Sequence, residues 1–345
     1  MSLEAWFIRS WYGERGWTNI FKPIQPLVKH LVDKKRMAFL THPENSYQAP
    51  VPVIVVGNIS VGGTGKSPMV VALCELLKEQ GYRPGIVSRG HGAKITSPTH
   101  VYIDSLASEV GDEPVMLARR AACPMVVFPN RAKAVQHLLA TTDVNVVLSD
   151  DGMQHYRLNR DIEIAMLDAE RGIGNGQLLP VGPLREPVER LSEVDFVVSI
   201  AAKMTKPLSQ LTLSVELAHL IAEHLVSLDG SKMKHCDQAF SNDDPWHVIA
   251  AIGNPQRFLN TLKGLGLKHI ASQHWFADHH AFSVSDIPDS GPVVMTEKDS
   301  VKCQFLDIMN SNLWYLPVSL VLPEPFKQAF VAKLKQIEVE DKHHE

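Results

Sequence analysis

The sequence predicts an α/β fold: a parallel sheet with helices on both faces, followed by a smaller C-terminal α/β lobe. Two observations carry this. From Val51 onward, short runs rich in Val and Ile alternate with segments of helical periodicity, and such alternation builds parallel sheets covered on both faces. The run VPVIVVGN also leads directly into the glycine-rich stretch SVGGTGKSP, residues 60–68. A strand, a glycine-rich turn and a helix in that order are the context of a phosphate-binding loop.

Taken in order, VPVIVVGN reads as a buried strand. The helix after it carries Val70, Val71, Leu73, Leu76 and Leu77 at helical spacing, with Gly81 where a C-terminal cap belongs. PGIVSRG, CPMVVFP, VNVVLSDDG, IEIAMLD and VDFVVSI are further strands, and DEPVMLARRAA and NRAKAVQHLLA are helices between them. Residues 201–242 are more polar and less periodic and read as a linker region. A second alternating set fills 243–345: PWHVIAAIGNP, a helix to Leu265, KHIASQHWF, GPVVMTEKD, LWYLPVSLVL and a closing helix. The expected organisation is an N-terminal segment at 1–36, a P-loop NTPase-like core lobe at 37–200, the linker region, and the smaller lobe, with the two lobes facing across a cleft.

The N-terminal segment differs from the rest. Through Arg36 it holds seven Lys/Arg against three acidic residues, so +4 within a chain of net charge −4. Six of the 24 aromatic residues lie in its first 21 positions. Phe7, Trp11, Ile20, Phe21, Ile24, Leu27, Val28, Leu31 and Val32 recur mostly at spacings of three or four, an apolar stripe divided by Pro23 and Pro26. Arg9, Arg15, Lys22, Lys29, Lys34 and Lys35 can reach lipid phosphates, so the segment is expected to lie on a membrane surface. No apolar run approaches the roughly 18 residues of a spanning helix. The net charge gives no footprint for nucleic acid. Cys74, Cys123, Cys236 and Cys303 are scattered without a C-x-x-C, which argues against a disulfide framework or a thiolate zinc site.

Five motifs are candidates for chemistry. In the loop, Ser60 replaces the usual first glycine. Gly62, Gly63 and Gly65 free the backbone to turn N–H groups toward phosphate, Lys66 adds charge, and the helix N-terminus favours anions. VNVVLSDDG ends an apolar strand in Asp150 and Asp151, the pattern of a carboxylate that orients Mg²⁺ with the loop hydroxyl, Ser67. FADHHAF brings Asp278, His279 and His280 together, but a zinc site lacks a fourth well-spaced ligand. TEKD, residues 296–299, faintly resembles a guanine-reading motif with its Lys displaced, and GDEP, residues 111–114, is also a possible helix cap.

Together the motifs resemble one family closely, the tetraacyldisaccharide 4′-kinases of lipid A biosynthesis. GNISVGGTGKSP, SRGHG, GDEP, DDGMQH, GQLLPVGPLREP, AIGNPQRF, FADHHAF and TEKD stand in the family's order across nearly the whole chain. The resemblance implies transfer of the γ-phosphoryl of ATP, with Mg²⁺, to the 4′-hydroxyl of a tetra-acylated glucosamine disaccharide 1-phosphate, giving lipid IV(A). It implies a peripheral enzyme on the cytoplasmic face of the inner membrane, and a monomer is expected. Ser60, Val61, Gly62, Gly63, Thr64, Gly65, Lys66 and Ser67 would cradle ATP, with Lys66 serving catalysis. Ser67 with Asp150 or Asp151 would position the metal. Asp112 would be the base, tuned by a His of FADHH, His279 being favoured over His280. Arg89, Gln154, His155, Arg185 and Glu186 would line the substrate side. Asp112 and His279 are expected on opposite lobes, meeting only on closure. The competing class is a P-loop GTPase or metallochaperone switch, for which TEKD and the histidines argue.

Overall fold

The computed structural model describes residues 3–13 and 16–341; Arg15 of the basic set above lies outside them. The chain divides into two compact units, and neither is contiguous in sequence.

The first unit comprises residues 1–89, 123–219 and 320–345. Its strands are β1 (Val53–Gly57), β2 (Pro84–Ser88), β3 (Met125–Val127), β4 (Val146–Asp150), β5 (Ile162–Leu167), β6 (Phe196–Ile200) and β7 (Glu216–Ile221). They lie in the order β7-β6-β5-β1-β4-β2-β3, and every pairing along that run is parallel. β1, β2, β4 and β5 are buried at every position, as expected of strands covered by helices on both faces. β1 sits mid-sheet and pairs with β4 in the register Val56↔Asp150. The glycine-rich loop and the acidic strand end therefore emerge side by side. The helix after the loop, Lys66–Glu79, ends in a Schellman cap: Gly81 takes φ 85°, its N–H donates to Lys78 O and that of Tyr82 donates to Leu77 O.

The N-terminal segment forms three pieces: a helix Leu3–Tyr12, a 3₁₀ stretch Trp17–Ile24 containing Pro23, and a helix Gln25–Leu40 with Pro26 in its first turn. Proline is tolerated in a first turn, where its missing N–H has no helical partner anyway. Polar contacts tie this segment to residues 178–181. Trp11 Nε1 donates to Pro180 O at 3.0 Å, Thr18 Oγ1 to Val181 O at 2.8 Å and Gln25 Nε2 to Leu178 O at 2.6 Å. The Gln25–Leu40 helix buries no residue; Ile20 is 73% exposed, Leu27 61% and Leu31 56%.

The second unit comprises residues 90–122 and 220–319. Its strands are β8 (His224–Ser227), β9 (Met233–His235), β10 (Trp246–Ala250), β11 (Ile270–Trp275), β12 (Val293–Thr296) and β13 (Leu313–Leu316), in the order β9-β8-β13-β12-β10-β11. The central β13-β12-β10-β11 run is parallel, and β8 joins it antiparallel.

Three features differ from the expectation. Residues 90–122 group with the second unit because the helix Asp112–Ala121 packs on the helix Glu297–Cys303, with Arg120 paired to Glu297 and donating to Val318 O and Ser319 Oγ. The closing helix, Glu324–Asp341, belongs to the first unit, where Phe326 and Phe330 pack against Phe196. The stretch read as a linker contains β7, β8 and β9; β7 buries only Ala218 and is otherwise of mixed exposure, so it lacks the continuous apolar run of its neighbours.

Candidate active site

The first unit holds the loop. Ser60 is buried and bridges to Leu184 through the backbone, while Val61 N–H donates to Pro183 O at 2.9 Å. The turn is thus braced by the GPLREP segment, and Ser in place of Gly is accommodated. Gly65 takes φ 88°, and a Cβ there would lie 2.2 Å from Ile200 Cδ1, so glycine is required on both counts. A Cβ on Gly63 would meet nothing within 4 Å. Thr64 is buried, its Oγ1 accepting from Asn58 Nδ2 at 3.1 Å. Lys66 and Ser67 open the following helix.

Asp150 and Asp151 have distinct surroundings. Asp150 ends β4, is buried, and accepts from Ser88 Oγ at 3.0 Å through Oδ2. Arg131, itself 2% exposed, donates to Asp150 O at 3.1 Å and to Phe128 O at 2.9 Å. Burial pulls the Arg131 guanidinium down to about 10, against the opposing charges of Asp150 and Asp151. Asp151 adopts φ 47°, meets Arg185 at two points and has Lys66 Nζ at 3.6 Å.

Arg185 Nη2 and Gln154 Nε2 both donate to Asn58 O, each at 3.1 Å, so the residue after β1 organises two of the predicted substrate-side groups. His155 is lowered to about 4, first by burial and then by Arg131 and the further cation Arg89, which keeps its imidazole neutral near pH 7. Arg89 follows Ser88 at the end of β2. Glu186 is buried and paired with Arg190 at 3.3 Å, inside a network that also takes in Glu163. That places it behind the site, not on an open surface.

The second unit holds the carboxylate–imidazole pair. Gly111, at φ 98°, admits the close approach of His91 O, 2.7 Å from where a Cβ would stand. Asp112 begins its helix at 5% exposure and accepts from Glu113 N at 2.9 Å. His279 Nδ1 lies 3.0 Å from both Asp112 oxygens. His279 holds a left-handed φ of 61°, with its N–H donating to Asp278 Oδ1; strained backbone of this kind concentrates at functional sites. His280 instead pairs with Asp286 at 3.2 Å and stacks on Phe276. Burial alone would raise the Asp112 carboxyl, yet the His279 hydrogen bond and the charges of Lys298 and Lys302 leave it below the usual carboxylate value. The same hydrogen bond raises His279. Asp112 and His279 belong to one unit, so the expectation that they sit on opposite lobes is corrected.

TEKD is not arranged to read a base. Lys298 turns to Asp278 at 2.9 Å, and the fully buried Asp299 accepts from Ala251 N and Thr296 Oγ1. Among the described residues, no group of three or more His, Cys, Asp or Glu is arranged to hold a metal. Asn58, Arg131 and Lys302 are site-side residues that the motif reading did not single out. The signal for Arg131 was a basic residue in the helix directly after a strand end, which reads equally well as solvated surface.

The family described as tetraacyldisaccharide-1-P 4′-kinase (LpxK) matches residues 17–335. The tetraacyldisaccharide 4′-kinase of Pseudomonas putida strain W619 is 43% identical over 328 residues, covering 94% of each chain. That of Pseudomonas entomophila strain L48 is 42% identical over 340 residues, covering 98% of each. That of Methylobacillus flagellatus is 40% identical over 339 residues, covering 97% of this chain and 98% of the relative. The crystal structure of LpxK from Aquifex aeolicus in complex with ATP superposes with a TM-score of 0.78 at 25% identity, covering 92% of this chain and 99% of that one. With the family match and relatives covered over nearly their whole length in agreement, the chain belongs to the tetraacyldisaccharide-1-P 4′-kinase family.

Proposed function

We propose that this chain transfers the γ-phosphoryl of ATP to the 4′-hydroxyl of a tetra-acylated disaccharide 1-phosphate, the lipid A step for which its relatives are named. The observation that carries the site assignment is Asp112, with both oxygens 3.0 Å from His279 Nδ1, in a chain that also presents a phosphate-binding loop. Phosphoryl transfer needs positioning, charge neutralisation and one group to take the acceptor's proton. Residues 60–67 hold the nucleotide phosphates, and Lys66 and Arg185 place positive charge beside them, both fixed by Asp151. The acceptor O–H bond breaks with its proton passing to the Asp112–His279 pair. The freed oxygen bonds to the γ phosphorus, and the bond from phosphorus to the β,γ-bridging oxygen breaks, its electron pair leaving with ADP.

Magnesium is the second cofactor in this reading. The donors fit a hard cation: the Ser67 hydroxyl at the helix start and the Asp150 carboxylate on the strand in register with β1 are all-oxygen ligands. Asp151, engaged by two cations of the chain, is the weaker candidate ligand. Bound there, the ion would neutralise phosphate charge.

The exposed apolar residues of the N-terminal pieces and their lysines support peripheral docking on an anionic membrane surface, the cytoplasmic face of the inner membrane. No helix among the described residues is long and apolar enough to cross a membrane.

Incubation with γ-labelled ATP and the lipid disaccharide tests the activity. Label should move to the lipid only with Mg²⁺ present, and GTP should serve poorly. Steady nucleotide hydrolysis that ignores the lipid would favour the switch reading and overturn this one.

A further inference from the structure

Asp112 meets more positive charge than a pairing with one histidine requires. The helix Glu297–Cys303 carries two lysines one turn apart, a spacing that puts both on one face. Lys298 Nζ and Lys302 Nζ each lie 3.8 Å from Asp112 Oδ2. That is beyond hydrogen-bond distance, so the lysines act on the carboxylate as charges and leave its oxygens to His279 and the Glu113 N–H. Lys298 Nζ is also 3.5 Å from His279 Nε2, on the ring edge away from Asp112. The two lysine side chains are 13% and 8% exposed, so salt screens them little.

The other charged groups around the pair hold these lysines in place, and Asp278 Oδ2 also faces His279 Nε2 at 3.9 Å. Lys298 is anchored by Asp278 at 2.9 Å and flanked by Glu113 at 3.9 Å. Lys302 is anchored by Asp299 at 2.8 Å, with its ammonium over the Phe282 ring at 5.0 Å. The His91 ring stands 5.1 Å from that of His279.

We propose that Lys298 and Lys302 are positioning residues for the base, keeping the Asp112–His279 pair free of an extra proton so that it can take the one from the acceptor hydroxyl. The proposal rests on the reading of Asp112 as that base. A proton held by the pair puts a new positive charge close to ammonium groups, whichever of the two residues carries it. Strongly interacting groups titrate with midpoints that belong to the pair, so the lysines lower the pair's midpoint as a unit. Lys298, near both members, has the greater leverage. The same repulsion helps the proton leave for solvent after transfer. The Lys of TEKD thus serves the acceptor side of the reaction.

The test is the pH profile of kcat/KM for lipid transfer in the wild type, Lys298→Met, Lys302→Met and Asp112→Asn, alongside NMR titration of His279. Loss of one cation should move the acid limb and the His279 midpoint of Lys298→Met upward by about one pH unit. The deficit should then be larger at pH 6.5 than at pH 8.5, and Lys298→Arg should restore the limb. A limb that stays put in Lys298→Met, with a uniform loss at every pH, overturns the proposal while Asp112→Asn still reports on the base. Near-normal turnover in Asp112→Asn removes the base reading instead, and the His279 midpoint still measures the effect of the lysines. Should Lys302→Met fail to fold because Asp299 is left buried without its cation, Lys298→Met and the double variant Lys302→Met/Asp299→Asn carry the same measurement.

Discussion

The carboxylate of Asp151 meets the guanidinium of Arg185 at two points, 3.0 and 3.2 Å apart, with Lys66 Nζ 3.6 Å from the same group. Burial alone would raise this carboxyl, but Lys66, Arg185 and Arg131 bring it down to about 2. A depressed carboxyl contributes stability that is complete above its unfolded value of roughly 3.9 and is lost as pH falls through the folded one. The difference in Tm between wild type and Asp151→Asn should therefore be flat from pH 5 to 8 and shrink only in stronger acid. Turnover in the variant should fall at least about tenfold, since charge-assisted pairs of this kind set geometry. A Tm difference that changes between pH 6 and 8 would show that another group dominates.

Two glycines of the loop separate folding from nucleotide binding. Gly65→Ala puts a Cβ 2.2 Å from Ile200 Cδ1 at φ 88°, and the left-handed conformation alone costs about 1–2 kcal/mol; thermal unfolding should move down by several degrees. Gly63→Ala meets open space at an ordinary φ, so Tm should hold while KM for ATP rises. Unchanged ATP kinetics in Gly63→Ala would show that the loop's open side does not face the nucleotide.

Asp112→Asn should lower kcat by roughly 10²–10⁴, the usual worth of a positioned base, with a much smaller change in KM for ATP. If the pair acts as a unit, Asp112→Asn/His279→Ala should be little worse than either single variant. The signs of the two shifts set the pH window. Asp112 is lowered, so its contribution is present above the ordinary carboxyl value and lost in acid. His279 is raised, so its contribution is present below roughly 6.5 and lost as pH rises through its higher folded value. The ion pair should stabilise most between those limits, and the His279 midpoint should drop in Asp112→Asn. Fully additive kinetic losses would mean that the two residues work apart.

The N-terminal reading is best tested by point substitution. A deletion of residues 1–20 would also remove Trp11 and Thr18, which bond to Pro180 and Val181. Leu27→Asp/Leu31→Asp alters only exposed positions, so Tm should move by less than about 1 kcal/mol equivalent. Sedimentation with anionic vesicles should weaken, and KM for the lipid should rise while KM for ATP holds. Unaltered vesicle binding would place the membrane contact elsewhere.

Much of the fold was legible because β1, β2, β4 and β5 are buried on both faces and so read as unbroken apolar runs. The strand, glycine-rich turn and helix around residues 60–67 were legible because three closely spaced glycines between an apolar run and a helical one leave few other local structures. What stayed hidden depended on distant packing. Nothing local in GDEP shows that its helix packs on Glu297–Cys303, because the complementary charges, Arg120 with Glu297, lie 177 positions apart. The closing helix belongs with the first sheet through Phe326 and Phe330, whose spacing suits any apolar surface. Arg131 and Lys302 were invisible for a related reason: burial of a cation is a property of its surroundings, not of its neighbours in sequence.

The chain leaves the first unit after Arg89 and re-enters it at Cys123, and this excursion has a consequence for biosynthesis. Asp112 emerges from the ribosome 167 residues ahead of His279, a delay of roughly 8–30 s at common translation speeds. The nascent segment 90–122 must wait for second-unit strands that begin only at His224, although β1 and β2, which precede it, are already made. The first unit is also incomplete until Phe326 and Phe330 arrive, after both stretches of the second unit. Neither unit can therefore be excised as one continuous fragment, and the Asp112–His279 contact cannot form until the second stretch of the second unit has been made as far as His279.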